Sequence, residues 1–206
     1  MKTITQLLVA LAFLPAVVLS QDQVTDENSQ GEWLEIQLHA SQQEKREWWR
    51  HLDLEQLNAY LQAGAEVNVA DKRKWTPLHS AARYNPDPEI LVALLQAGAV
   101  VGARNKARDT PLHWAAAENT NVDILTTLIE AGADVNARDR FGWLPIHTAA
   151  EGNSNPEVIE VLLAAGSKRN KRAYFVLFRP AFLLKHNANI SDTDKKTAMA
   201  LLKKSK

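Results

Sequence analysis

The sequence predicts an all-α solenoid, a stack of helix-turn-helix units with projecting β-turn fingers, and three observations carry that reading. Pro77, Pro111 and Pro145 stand 34 residues apart, as do His79, His113 and His147, and as do Gly64, Gly98, Gly132 and Gly166. Independent markers that share one period of this length mark a row of equivalent units, each burying its apolar face on the next. The 206 residues are 46% hydrophobic and 23% charged, with 24 basic against 24 acidic side chains and no Cys. That balance is ordinary for a soluble protein. The missing Cys excludes a disulfide framework, Cys-ligated zinc and a thiolate nucleophile. Charge is nevertheless polarised along the chain: residues 21–70 hold 10 acids and 3 bases, residues 166–206 hold 2 acids and 11 bases.

The first twenty residues read as a cleaved export signal. Lys2 supplies a positive start, Leu7 to Leu19 is a 13-residue stretch without charge, and Ser20 ends it with a small residue before Gln21. A membrane-spanning helix needs about 20 apolar residues, so this stretch is too short. The mature chain is then expected to have no integral membrane segment and to be periplasmic or secreted. Residues 21–40, rich in Gln, Asp, Glu, Asn and Ser at their start, read as a solvated linker.

Within each unit the local chemistry specifies two helices. Thr76 and Thr110 precede Pro77 and Pro111, a cap followed by a proline where the missing N–H costs nothing. Leu144 stands in the third unit where the others have Thr, so its cap is expected to be weaker by about 1 kcal/mol. A small Ala pair follows, then a polar turn. The second helix opens at Asp87-Pro88-Glu89, Asn121-Val122-Asp123 and Asn155-Pro156-Glu157, with an acid on the positive helix end. Ile90, Leu91, Leu94 and Leu95 recur as Ile124, Leu125, Leu128 and Ile129, then as Val158, Ile159, Leu162 and Leu163, one buried stripe per unit. The Gly after each stripe can stop the helix in the left-handed conformation.

These residues resemble the ankyrin repeat family. Thr76-Pro77-Leu78-His79 and Thr110-Pro111-Leu112-His113 match its signature, and Ala131-Gly132-Ala133-Asp134-Val135-Asn136-Ala137-Arg138-Asp139 matches its helix-end and finger segment. The family period is about 33, and the extra residue falls in the turn between helices, a variant associated with bacterial members. Lys74 and Arg108 sit where the family prefers the Gly found at Gly142. A non-Gly residue at positive φ costs about 1 kcal/mol, so those finger tips are expected to be strained or differently shaped.

The resemblance divides the chain into an N-terminal capping repeat (41–70), repeats 71–104, 105–138 and 139–170, and a degenerate C-terminal cap (171–206), all within one domain, 41–206. Gln42 to Arg50 and Asp53 to Gly64 supply the helices of the first unit. Glu44, Lys45, Arg46, Glu47 and Arg50 are expected to make its outer face polar. Pro180 starts a helix in the last unit, Thr197 to Lys204 forms a second, and Tyr174 to Phe178 covers the stack.

Catalysis finds no constellation. One His per repeat implies a separation of about 8 to 10 Å between packed helices, too far for shared zinc at about 2 Å per ligand. The resemblance makes each His structural, bridging its own Thr and the neighbouring repeat. No phosphate loop, nucleophile elbow or His-Glu metal motif is present, so no enzyme activity, cofactor or metal is expected. Binding then falls to the shared surface. The fingers carry Lys72, Arg73, Lys106, Arg108, Arg140 and Phe141, the residues before each first helix are Trp75, Asp109 and Trp143, and the resemblance aims Arg83, Tyr84, Glu118 and Glu151 at the same concave side. Aromatic residues and Arg are enriched at interface cores. For Trp75 and Trp143 a second use stays open, packing on a neighbouring finger.

The reading is a monomeric scaffold of the cell envelope that protects, recruits or stabilises a protein with an acidic patch, or an immunity-type inhibitor that covers a toxin's active site. Nucleic acid is excluded as a partner by export. Purified mature protein should begin near Gln21 and come from an envelope or external fraction. Terminal sequencing that finds Met1 intact in cytosolic protein would overturn the export reading.

Overall fold

The computed structural model describes residues 26–168 and 180–203; the expected export signal and the Tyr174 to Phe178 run lie outside them. Eleven helices and no strand occur among the described residues. They are α1 (Asp26–Leu38), α2 (Gln42–His51), α3 (Leu54–Gln62), α4 (Pro77–Tyr84), α5 (Pro88–Gln96), α6 (Pro111–Glu118), α7 (Val122–Glu130), α8 (Pro145–Gly152), α9 (Glu157–Ala164), α10 (Pro180–His186) and α11 (Asp192–Lys203). From α2 onward the even-numbered helices pack on one another as an inner row, and α3, α5, α7 and α9 continue as an outer row that ends at α11. The three full repeats use helices of eight or nine residues. Lone helices shorter than about 12 residues are marginal in water, so stacking holds them.

Ile90, Leu91 and Leu94, then Ile124, Leu125 and Leu128, then Val158, Ile159 and Leu162 are all buried to 2% exposure or less. The fourth member of each predicted stripe, Leu95, Ile129 or Leu163, is only half-buried and packs at the core's edge. Every outer-row helix of the first four units ends on a Gly at φ between 83° and 92°, the left-handed turn that the sequence required.

Polar ties link each unit to its neighbours. Asn85 Nδ2 donates to Trp49 O (2.6 Å) and Leu52 O (2.9 Å), Asn119 Nδ2 to Ala82 O (3.0 Å) and Asn85 O (2.9 Å), and Asn153 Nδ2 to Ala116 O (2.9 Å) and Asn119 O (2.8 Å). Asn187 continues the ladder onto Asn153 O at 2.8 Å. All four Asn are buried, and each Oδ1 accepts the backbone N–H two residues on, which shapes the turn containing the extra residue.

The N-terminal end departs from the sequence reading. Residues 26–38, within the segment expected to be a solvated linker, form α1 and bury Trp33 (0%) and Ile36 (4%). Trp33 lies edge-on to Trp48 and Trp49 at 6.0 and 5.9 Å, tilts against Tyr60 at 5.8 Å, and donates Nε1–H to Glu66 O at 3.2 Å. One large aromatic outweighs the polar composition around it, since a buried ring removes far more apolar area than the flanking residues expose. Lys45 is also not on the outer face. It is 1% exposed because it occupies, one period earlier, the position of His79. Its ammonium donates to Asp71 Oδ2 (3.0 Å) and Gln37 O (2.6 Å). Glu44, Arg46, Glu47 and Arg50 are exposed as expected. At the other end α11 begins at Asp192, five residues before the expected helix, because Ser191 Oγ accepts from Asp194 N at 3.1 Å and caps it.

A further tie joins the outer loops. Asn68 Nδ2 donates to Gly98 O (2.9 Å) while its Oδ1 accepts from Val100 N (2.9 Å), and Asn136 does the same with Gly166 O (3.2 Å) and Lys168 N (3.0 Å). Gly102, midway between them in the period, has no side chain to make this clamp. A Cβ added there meets nothing within 4 Å, and its φ is not in the left-handed region. Gly102→Asn should therefore add the clamp to Gly132 O and Asp134 N and raise stability by about 1 kcal/mol. Urea denaturation measures it; a lower midpoint would show that the clamp does not stabilise the loop pair.

Candidate functional site

Each finger is set by one acidic or amide side chain at its base. Asp71 Oδ1 accepts from Arg73 N (2.8 Å) and Trp75 N (2.9 Å), Asn105 Oδ1 from Ala107 N (2.8 Å) and Asp109 N (3.0 Å), and Asp139 Oδ1 from Phe141 N (2.8 Å) and Trp143 N (2.7 Å). Such turns leave the tip residues pointing outward. Consecutive fingers are joined by Lys106 N to Arg73 O and Arg140 N to Ala107 O, both 2.8 Å, so the basic tips stand in rank. Lys74 (φ 59°) and Arg108 (φ 65°) take the left-handed conformation of Gly142 (φ 81°), the strain that the sequence anticipated.

Lys72, Arg73, Lys106, Arg108, Arg140 and Phe141 are exposed, and the Arg140 guanidinium lies 4.5 Å from the centroid of the Phe141 ring. Trp75 differs. It is 6% exposed, donates Nε1–H to Ser80 Oγ at 2.7 Å and lies 4.7 Å from the ring of Trp114 in the next repeat. Packing within the stack takes most of this ring, leaving little surface for a hot spot. Above it, the Arg83 guanidinium sits 4.3 Å from the Trp114 ring, 4.8 Å from Tyr84 and 5.8 Å from Trp75, and pairs with Glu118 across the repeat boundary.

These groups line a groove of about 460 Å³ on the concave side. Of the sequence-predicted residues it brings together Arg73, Trp75, Arg83, Tyr84, Lys106, Asp109, Glu118 and Arg140. Lys72, Arg108, Phe141, Trp143 and Glu151 lie outside its lining. Trp143 is half-buried with its ring 6.1 Å from His147 of its own repeat, and Glu151 is exposed on α8, its carboxyl pushed up by partial burial. Sequence reasoning missed Trp114, Arg46, Gln42 and Gln43, which also line the groove. Trp114 occupies the periodic position of Ser80 and Thr148, and that break in the pattern was the available signal.

The His column is structural in detail. His79 Nδ1 accepts from Thr76 N (3.3 Å) and contacts Thr76 Oγ1 (2.8 Å), and His79 Nε2 reaches Asp109 O (3.2 Å) in the next repeat. His113 repeats this with Thr110 (3.1 and 2.9 Å) and Trp143 O (3.1 Å). A backbone N–H at Nδ1 and a carbonyl at Nε2 fix the neutral tautomer with its proton on Nε2. The threonines thus support the caps through His, with no side-chain bond of their own to the helix backbone. His147 Nδ1 accepts from Leu144 N at 3.1 Å, so the backbone half of the cap survives without Thr. No group of three or more His, Cys, Asp or Glu able to hold a metal occurs among the described residues.

Stacked helical pairs, with fingers and inner helices sharing one concave groove, define a repeat scaffold. The sequence family described as Ankyrin repeats (3 copies) matches residues 50–139 and 82–173, and the chain belongs to the ankyrin repeat family. Ankyrin repeats are generally protein–protein interaction modules and typically non-catalytic. No curated protein matches the sequence.

Burial lowers the His79 pKa from its ordinary value to about 4, and burial likewise lowers that of His113. A pKa depressed on folding means that the unfolded chain binds protons first as pH falls, so this stability is full above about pH 6.5 and is lost toward pH 4. The expected loss is about 3 kcal/mol for His79, at 1.36 kcal/mol per unit. A melting temperature flat between pH 7 and 4 would contradict the neutral column. His113→Ala should cost about 1 to 3 kcal/mol and leave metal content unchanged.

Proposed function

We propose that this ankyrin protein is a non-catalytic scaffold of the cell envelope that holds a protein partner through the concave groove and fingers, and so protects, recruits or stabilises it. The groove is the observation that supports this reading. Arg46, Arg73, Arg83, Lys106 and Arg140 face only Asp109 and Glu118 there, beside the rings of Tyr84 and Trp114. Arg and large aromatics are the residue types that dominate interface energies, and a cationic surface accelerates encounter with an acidic partner. The envelope assignment rests on the signal-like first twenty residues.

Cross-linking in the envelope fraction would identify the partner, and surface plasmon resonance at two salt concentrations would measure its binding. Reversing Arg73, Lys106 and Arg140 to Glu should slow association and flatten its salt dependence. Trp114→Ala, which removes the ring on which Arg83 lies, should mainly speed dissociation, by roughly 30-fold for a hot spot of about 2 kcal/mol. If both variants keep wild-type kinetics and wild-type circular dichroism, the groove is not the partner's seat.

A further inference from the structure

Arg83 stands at the centre of the concave side with capacity it does not use. Its guanidinium is held flat among Trp114, Tyr84 and Trp75, a position fixed by three rings. Its Nη2 donates to Glu118, whereas Nε is buried with no hydrogen-bond partner while Glu118 is in place. A carboxylate presented squarely to guanidinium takes two N–H donors in parallel and is held more strongly than one that meets a single nitrogen. Glu118 takes one, and its side chain is 40% exposed, so solvent competes for it. Exposed ion pairs of this kind contribute about 0 to 1 kcal/mol. Glu118 is thus a weakly held occupant of a well-built seat.

The surroundings repeat the same sign. A second, smaller cavity of about 160 Å³ shares Arg46, Arg83, Tyr84 and Glu118 with the groove and adds Arg50, so the cationic strip runs past Arg83 on both sides. Lys106 and Arg140 are periodic equivalents on adjacent fingers. Units that stack like packed helices are about 8 to 10 Å apart, and a chain in the polyproline II conformation advances about 3.1 Å per residue with three residues per turn. Side chains three residues apart on such a chain therefore meet equivalent positions of adjacent repeats.

We propose that the partner presents an acidic segment in the polyproline II conformation with carboxylates three residues apart, two of which lie against the finger residues Lys106 and Arg140 while a further carboxylate displaces Glu118 from Arg83. This deepens the reading of the groove as a protein-binding site and rests on it. A nucleic acid fits less well. A base needs an open ring to stack on, and the Trp114 ring is covered by Arg83.

The test uses the whole chain and fluorescence anisotropy. The probes are a labelled Gly-Ser peptide with Glu at every third position, the same peptide with Lys, and an oligothymidine of equal charge. Wild type should bind the Glu peptide and not the Lys peptide, with oligothymidine weaker. Glu118→Gln, which removes the internal competitor, should bind the Glu peptide roughly three- to fivefold more tightly, the fold-change of an ion pair worth up to about 1 kcal/mol. Arg83→Gln should abolish binding. Should Arg83→Gln unfold the chain, Arg83→Lys keeps the charge without the parallel donors and should weaken binding about tenfold. No gain in Glu118→Gln, or tighter binding of oligothymidine than of the Glu peptide, overturns the proposal. A partner captured by cross-linking that loses affinity in the finger variants, with no peptide binding, would leave the groove as the partner's seat and reject the acidic segment alone.

Discussion

The stack depends on one interaction repeated along its length, the amide of a buried Asn that reaches back into the preceding unit. The last carbonyls of any helix have no partner within it. Here the missing donors come from next door: Asn119 Nδ2 supplies Ala82 O and Asn85 O, and Asn153 Nδ2 supplies Ala116 O and Asn119 O. An inner helix is therefore complete at its C-terminal end only when the following unit is in place. His79 and His113 tie in the same sense, since their Nε2–H groups donate forward to Asp109 O and Trp143 O. Each full repeat leaves some of its buried polar groups for a neighbour to satisfy, and the apolar stripe of each helix pair is likewise covered by its neighbours. Cooperativity along the stack follows from these shared donors as much as from shared apolar area.

How much of this the sequence discloses depends on whether a feature recurs. The 34-residue period yielded the helix pairs, the stripes of Ile90, Ile124 and Val158, the Gly stops and the structural His, because each physical requirement is written several times. The positive φ at Lys74 and Arg108 was legible by comparison with Gly142. α1 was not: it occurs once, and its composition is that of a solvated segment, so nothing but Trp33 and Ile36 marked it as buried. Lys45 was misplaced for a related reason. Its residue type suggests a surface, whereas its register, one period before His79, puts it inside. The Asn ladder shares the period at 85, 119, 153 and 187, yet a polar turn residue carries no sign of which neighbour it will bond.

The candidate site shows the same division. Basic fingers were readable because exposed charge at a repeating position has few structural uses, and Arg83 because the family resemblance aims its position at the concave side. Whether an aromatic faces a partner or a neighbour was not readable, since that depends on what the next repeat places against it. Trp75 is covered because Trp114 stands at the position that Ser80 and Thr148 hold in the flanking repeats. One substitution in the period thus buries one ring, brings another to the groove and creates the bed on which Arg83 lies.

The buried ammonium of Lys45 gives the stack a direction. At the first interface the position that holds a neutral imidazole elsewhere holds a cation paired with Asp71. Burial alone would raise the Asp71 carboxyl, but the backbone N–H of Trp75 and the Lys45 ammonium together hold it below its ordinary value. Such a pair keeps its stabilising charge until pH falls below the ordinary carboxylate range of about 4, whereas the imidazoles of the inner interfaces, buried in the neutral form, begin to favour the unfolded chain below about 6.5. Acid therefore weakens the joints held by His79 and His113 at a higher pH than the joint held by Lys45 and Asp71, beside α1 and the tryptophan cluster.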